Sequence, residues 1–153
     1  MTPVDVAERS AIASFLPSGL TYRVSSVLRR NVREFGPKHL FDGLEDTCWN
    51  SDQGSPQSIE LVFPHAITVT SVLLRFQGGF VGQGGEFYGA RGNAETLVWE
   101  RLGSFEPEDV SSVQRFPVEG GAELVGLRLV FARSSDLYGR VTAYELDVLG
   151  TDF

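Results

Sequence analysis

The 153-residue chain carries one cysteine, Cys48, and one methionine. No intrachain disulfide can form, so the fold must rest on a packed core. Small secreted domains generally carry paired cysteines, and their lack here points to a reducing compartment. Long apolar runs are also missing. Nothing approaches the roughly 18 consecutive apolar residues of a membrane-spanning helix. The short run Ala11 to Leu16 follows Asp5 and Glu8, whereas a secretion signal places basic residues ahead of a longer apolar stretch. The expectation is nucleus or cytoplasm, with no membrane partner. Basic residues are scarce: 13 Lys and Arg stand against 20 Asp and Glu, a net charge of −7. Nucleic-acid affinity comes largely from clustered cations that release counterions from phosphates, so direct binding to DNA or RNA is not expected. The one basic cluster, Arg29, Arg30 and Arg33, is short and followed by Glu34. It reads either as a solvated face or as a small acid-binding patch.

What is present is ordinary for a folded domain, with 42% apolar and 11% aromatic residues. A chain of this length buries roughly 70% of the surface its unfolded form exposes, enough for one core. Residues 1–20 read as a weakly ordered leader with a helical turn or two between Asp5 and Phe15, broken by Pro17, Ser18 and Gly19. Residues 21–153 read as the domain. Ser58 to Phe63 alternates, with Ile59, Leu61 and Phe63 on one face and Glu60 on the other. Ile67 to Gln77 changes phase, because Ile67 and Val69 share one parity and Val72, Leu74 and Phe76 the other; a bulge near Ser71 accounts for this. Val125 to Phe131 alternates, as does Thr142 to Val148 with Tyr144, Leu146 and Val148 inward. Weaker strands are Leu97 to Phe105 and Val113 to Val118. Short strands between turn signals predict an all-β fold, a sandwich or barrel. Seven glycines between Gly78 and Gly92 predict a long mobile loop.

Four carboxylates lie between Phe41 and Asp52, together with Thr47, Asn50 and Trp49. Calcium takes six to eight hard oxygen ligands, so such a loop is a candidate cradle, although it lacks the spacing of an EF-hand. The alternative is a polar turn in which Asp42 accepts backbone N–H bonds and Gly43 takes a positive φ. Cys48 with His39 or His65 can be written as a thiol–imidazole pair, but a small residue between Thr47 and Trp49 is more readily a core residue. Two histidines and one cysteine lack the close ligand pairs of a zinc site, and Gly82, Gly84 and Gly85 do not complete a dinucleotide-binding motif. No catalysis is expected. Phe80 after Gln77-Gly78-Gly79 is either a tucked turn residue or an exposed contact. The loop Arg133 to Arg140, with Tyr138, is either solvated or a recognition surface.

Asp42-Gly43, Thr47, Trp49 and the late strand Ala143-Tyr144-Glu145-Leu146-Asp147-Val148 resemble the discoidin, or galactose-binding-like, superfamily. That resemblance implies a jelly-roll β-sandwich of two antiparallel sheets with about eight strands. It also implies a structural calcium ion held by the side chains of Asp42, Thr47 and Glu145 and by carbonyls near His39, Leu44 and Tyr144. A closer resemblance spans about residues 22–150. It rests on Arg23 to Leu28, His39 to Asp42, Thr47 to Gly54, Phe76 to Phe80, Phe105 to Asp109 and Gly139 to Val141. These segments are similar to the nuclear receptor-associated protein family, which is named for association with, and repression of, a testicular orphan nuclear receptor. The implied function is a non-catalytic module that binds a protein partner such as a nuclear receptor. Binding of a glycan or small ligand is the alternative, with Phe80, Arg133, Tyr138 and Arg140 as the contact residues in either case.

Overall fold

The structure is a computed structural model that describes residues 8–93 and 95–153. In chain order it contains β1 (Arg9–Ser10), α1 (Ala11–Phe15), β2 (Thr21–Val24), α2 (Val32–Phe35) and β3 (Trp49–Asn50). The rest is β4 (Gln57–Phe76), β5 (Gly82–Arg91), β6 (Val98–Phe105), β7 (Gln114–Pro117), β8 (Leu124–Ser134) and β9 (Thr142–Thr151). All strand pairings among the described residues are antiparallel. The expected all-β sandwich is what forms.

The 20-residue β4 makes it a sandwich. Its first half pairs with β2 and β8, and β8 continues to β5 and the edge strand β6. Its second half pairs with β7 and β9, and β9 carries β1 and β3. Between the halves Pro64, His65 and Ala66 are exposed, and the register shifts between Val62 and Ile67. Proline cannot donate to a ladder, so the strand is freed there to turn from one sheet to the other. The phase change expected near Ser71 is present: the β9 register slips between Val69 and Ser71, and Ser71 and Val72 are both buried.

The two inner faces meet in an aromatic cluster. Phe131 stands edge-on to Phe76 with centroids 5.7 Å apart, Phe105 stacks on Phe87 at 4.2 Å, and Phe116 lies 5.0 Å from Phe105. Fully burying a side chain of this size stabilises the fold by roughly 1.5–3 kcal/mol. The glycine-rich stretch is therefore a strand and not the mobile loop its composition suggests. Gly82 to Arg91 runs between β6 and β8. A Cβ on Gly82 would lie 2.5 Å from the Phe131 ring, and one on Gly85 would lie 2.6 Å from the Phe105 ring. These glycines are the spaces that large neighbours occupy, a cause that one-dimensional composition cannot distinguish from flexibility.

From Glu8 onward the leader is built into the domain. β1 pairs with β9, and Ala11, Ile12 and Phe15 of α1 belong to the core. Ser10 caps α1, its hydroxyl accepting the Ala13 N–H at 3.0 Å and donating to Asp147 at 2.6 Å. Residues 1–7 lie outside the described residues.

Candidate functional site

Asp42 follows a 3-10 turn, Pro37–Leu40, that is pinned by the buried Leu40. The Leu44 N–H donates to Asp42 Oδ1 at 2.9 Å, and the Thr47 hydroxyl donates to Oδ2 at 2.6 Å. His39 Nδ1 lies 3.1 Å from the same Oδ2, and its Nε2 lies 2.9 Å from the Arg33 carbonyl. Gly43 takes φ +72°. The polar-turn geometry is thus complete in itself. Partial burial works against ionisation of Asp42, but the bonds from Thr47, Leu44 and His39 outweigh it and hold the carboxyl below its ordinary range.

Glu145 comes from β9. It lies with Tyr144, Gly43, Leu44, Glu45 and Arg75 around a cleft of about 540 Å³. Arg75 sits among them, with its guanidinium 4.6 Å from the Tyr144 ring centroid, its Nε 3.9 Å from Glu145 and an N–H donated to the Glu45 carbonyl at 3.3 Å. Tyr144 is half-buried and not inward as the alternation suggests, because the β4–β9 register skips it: Arg75 pairs with Glu145 and Phe76 with Ala143. The fold thus joins His39, Asp42 and Thr47, and brings Leu44 to face Tyr144 and Glu145 with Arg75 between. Among the described residues no three His, Cys, Asp or Glu side chains gather. Cys48 has no imidazole partner, and its thiol is pushed up by burial and then by the charge of Glu34.

At one end of the sandwich four loops are tied together. The Gly79 N–H donates to Asp109 Oδ1 at 2.7 Å, and the Gly78 N–H donates to the Ser111 hydroxyl at 2.9 Å. Val81 and Ser135 exchange two bonds, each 2.9 Å. The Gly54 N–H donates to the Tyr138 carbonyl at 2.8 Å. Beneath the 51–56 loop lies the buried Gln57, which accepts from Ser25 and Ser26 and donates to the carbonyls of Asp52 and Gly54. Trp49 is in the core, with its indole N–H donated to the Ser26 carbonyl at 2.9 Å.

On this base Arg140 makes a bidentate pair with Asp136, at 2.9 and 3.1 Å. Its guanidinium lies 5.2 Å from the Phe80 ring centroid and 5.5 Å from that of Tyr138. Arg140 holds the Asp136 carboxyl below its ordinary range, and Asp136 raises Arg140 in return. Phe80, Tyr138 and Arg140 therefore form one group. Arg133 is not part of it: it pairs with Glu106 at 2.8 Å. Sequence reasoning missed Asp109, Ser135 and Gln57, the residues that lock the loops. Their signals were indirect: Asp109 ends a segment that carries the family resemblance, Gln57 follows another, and Ser135 lies in the loop Arg133 to Arg140.

The chain is 48% identical to the human nuclear receptor 2C2-associated protein over 84% of its own length and 89% of the relative's. The Xenopus laevis protein of the same name is 43% identical over 91% and 99%. The chain belongs to this family. No protein-family model matches it. Among solved structures, a family 32 carbohydrate-binding module of Clostridium perfringens NanJ, in complex with galactose, superposes with a TM-score of 0.74 at 17% identity. That superposition covers 94% of this chain and 99% of the module. An F5/8 type C domain from Bacteroides fragilis gives 0.74 at 14%, covering 88% and 93%. Chitosan-binding module 1 of a Paenibacillus chitosanase/glucanase gives 0.70 at 20%, covering 86% and 96%. At these identities the likeness is one of fold, and it assigns the family member a galactose-binding-like jelly roll. No helix among the described residues is long and apolar enough to cross a membrane.

Proposed function

We propose that this protein is a non-catalytic interaction module that acts as an adaptor or repressor on a transcription factor of the nuclear receptor type, in nucleus or cytoplasm. The observation that carries this reading is its 48% identity to a protein named for association with nuclear receptor 2C2. The loop end supports it, because it presents Leu137 and Tyr138 outward on a frame of cross-loop hydrogen bonds. Calorimetry of the purified chain with purified nuclear receptor 2C2 tests it. Stoichiometric binding is the expected result. No binding by the intact, folded chain overturns the reading.

A glycan is the second reading, favoured by the exposed Tyr138 ring and by the carbohydrate-binding modules that share the fold. Against it, Arg140 lies over the Phe80 ring that a sugar would stack on.

We also propose a structural calcium ion, held by Asp42, Thr47 and Glu145 and by the carbonyls of His39, Leu44 and Tyr144. The donor set is all oxygen, as calcium requires, and Leu44 and Glu145 line one cleft. Arg75 stands in that cleft, so this occupancy needs it to leave Glu145. The ion would cross-link the Asp42 turn to β9 and take part in no reaction. A ligand bound only by the folded state raises the melting temperature. The expected outcome is a lower melting temperature with chelator and recovery with calcium; no change, with no metal by elemental analysis, removes the site.

A further inference from the structure

The turn between β8 and β9 carries the most exposed large apolar side chain among the described residues, Leu137 at 89%, beside Tyr138 at 59%. Two adjacent side chains of this size form a small apolar tip, on a turn that hydrogen bonds hold from both sides. Asp136 accepts the N–H groups of Tyr138 and Arg140 and the Arg140 guanidinium, and the Tyr138 carbonyl is tied to Gly54. Ordering costs on binding are therefore already met in the free protein.

The charge around this apolar tip is one-sided. Across residues 51–56, 77–81, 106–113 and 134–141 there are five carboxylates, Asp52, Glu106, Glu108, Asp109 and Asp136, and one cation, Arg140. Arg140 is consumed by Asp136, and Glu106 is paired with Arg133 from β8. Asp52, Glu108 and Asp109 are left exposed without a cationic partner among the described residues. Such a field repels phosphate backbones and anionic lipid, and it draws in cations. The Arg140 guanidinium lies over the Phe80 ring, so that face of the ring is already occupied in the free protein.

We infer that the loop end docks a basic segment of a protein partner, one apolar side chain of which packs on Leu137 and Tyr138 while its lysines or arginines face Asp52, Glu108 and Asp109. This rests on the interaction-module reading and names the chemistry of the partner. Titration of the intact protein with a fluorescein-labelled peptide of lysines and arginines flanking one phenylalanine, and with a twin carrying glutamates instead, tests it. The basic peptide is expected to bind, with amide shifts in NMR confined to the four loops, and to weaken as salt rises. Leu137→Ser and Glu108→Lys should each weaken it by about tenfold, the size typical of a central contact. Both residues are exposed, so the melting temperature serves as the check that each variant stays folded. Equal binding of the acidic twin, shifts on another face, or binding of a chito-oligosaccharide at these loops with none of the peptide overturns the inference. If the receptor binds both variants as well as the native chain, this surface is wrong and the adaptor reading stands. If the basic peptide binds but no receptor does, the adaptor reading falls and the surface stands.

Discussion

Hydrogen bonds to Asp42 come from Leu44, Thr47 and His39, all within five residues of it. Those that tie the four loops to one another span 26 to 84 residues, as between Ser135 and Asp109 or Gly54 and Tyr138. Both regions are polar, and each contains one aspartate, Asp42 or Asp136, whose carboxyl is held below its ordinary range by bonds from nearby residues. They differ in what fixes them. A short turn closes on itself at low entropic cost, whereas four loops can be held in one arrangement only if the strands beneath them are already packed. The Asp42 turn is thus a local motif set onto the sandwich. The loop end is a product of it.

Trp49 gives the sharpest way to separate the two. It is fully buried, and its indole N–H bonds to Ser26, whose hydroxyl supports both the Asp52 N–H and Gln57. Trp49→Ala is expected to cost about 3–5 kcal/mol by denaturant unfolding, as large-to-small core changes do. In NMR spectra the amides at Gly54 and Tyr138 should shift while the Leu44 amide stays in place. Equal shifts at Leu44 would mean that the turn, too, depends on the core.

The glycines of β5 come next. Gly82→Ala forces a methyl against Phe131 and should cost about 1–3 kcal/mol, the usual penalty of overpacking. Gly103→Ala on the edge strand β6 meets nothing within 4 Å. It should be neutral, or stabilising by up to about 1 kcal/mol through the unfolded chain. Similar losses at both positions would return the glycines to a role in backbone freedom.

The smallest effects are in pH dependence, and they have opposite signs. Asp42 has a lowered carboxyl in the fold, so its stabilisation is present above the unfolded value and is lost as pH falls through the folded one. Asp147 is raised by burial, with the bond from Ser10 opposing, so its contribution is present at acid pH and is lost as pH rises through its folded value. In chelator, Asp42→Asn should lower the neutral-pH melting temperature by a few degrees and flatten its acid limb. Asp147→Asn should raise it slightly at neutral pH and leave it unchanged in acid. Same-sign shifts for both variants would contradict these environments.

What was legible in the sequence was whatever depends on neighbours along the chain. Alternation located β4, β8 and β9, and the slip of parity between Val69 and Val72 located the bulge. The Asp42-Gly43 pair and Thr47 announced a turn whose hydrogen bonds then form within it. The motifs from Trp49 to Gly54 and from Phe76 to Phe80 carried the family, which the identity to its members bears out.

Tertiary structure alone decided the rest. The stretch from Gly78 to Gly92 has the composition of a loop, yet Gly82–Arg91 is a strand whose Gly82 and Gly85 leave room for the rings of Phe131 and Phe105, about 49 and 20 residues further along the chain. Ser10 to Phe15 reads as leader until Asp147 and β9 receive it. Arg133 and Arg140 look alike in sequence, yet one faces Glu106 and the other Asp136 and Phe80, because a strand ends between them. The physical reason is the same in each case. Periodicity records which face of an element is buried, whereas the partner on the other side of that burial comes from a distant segment that local pattern does not encode.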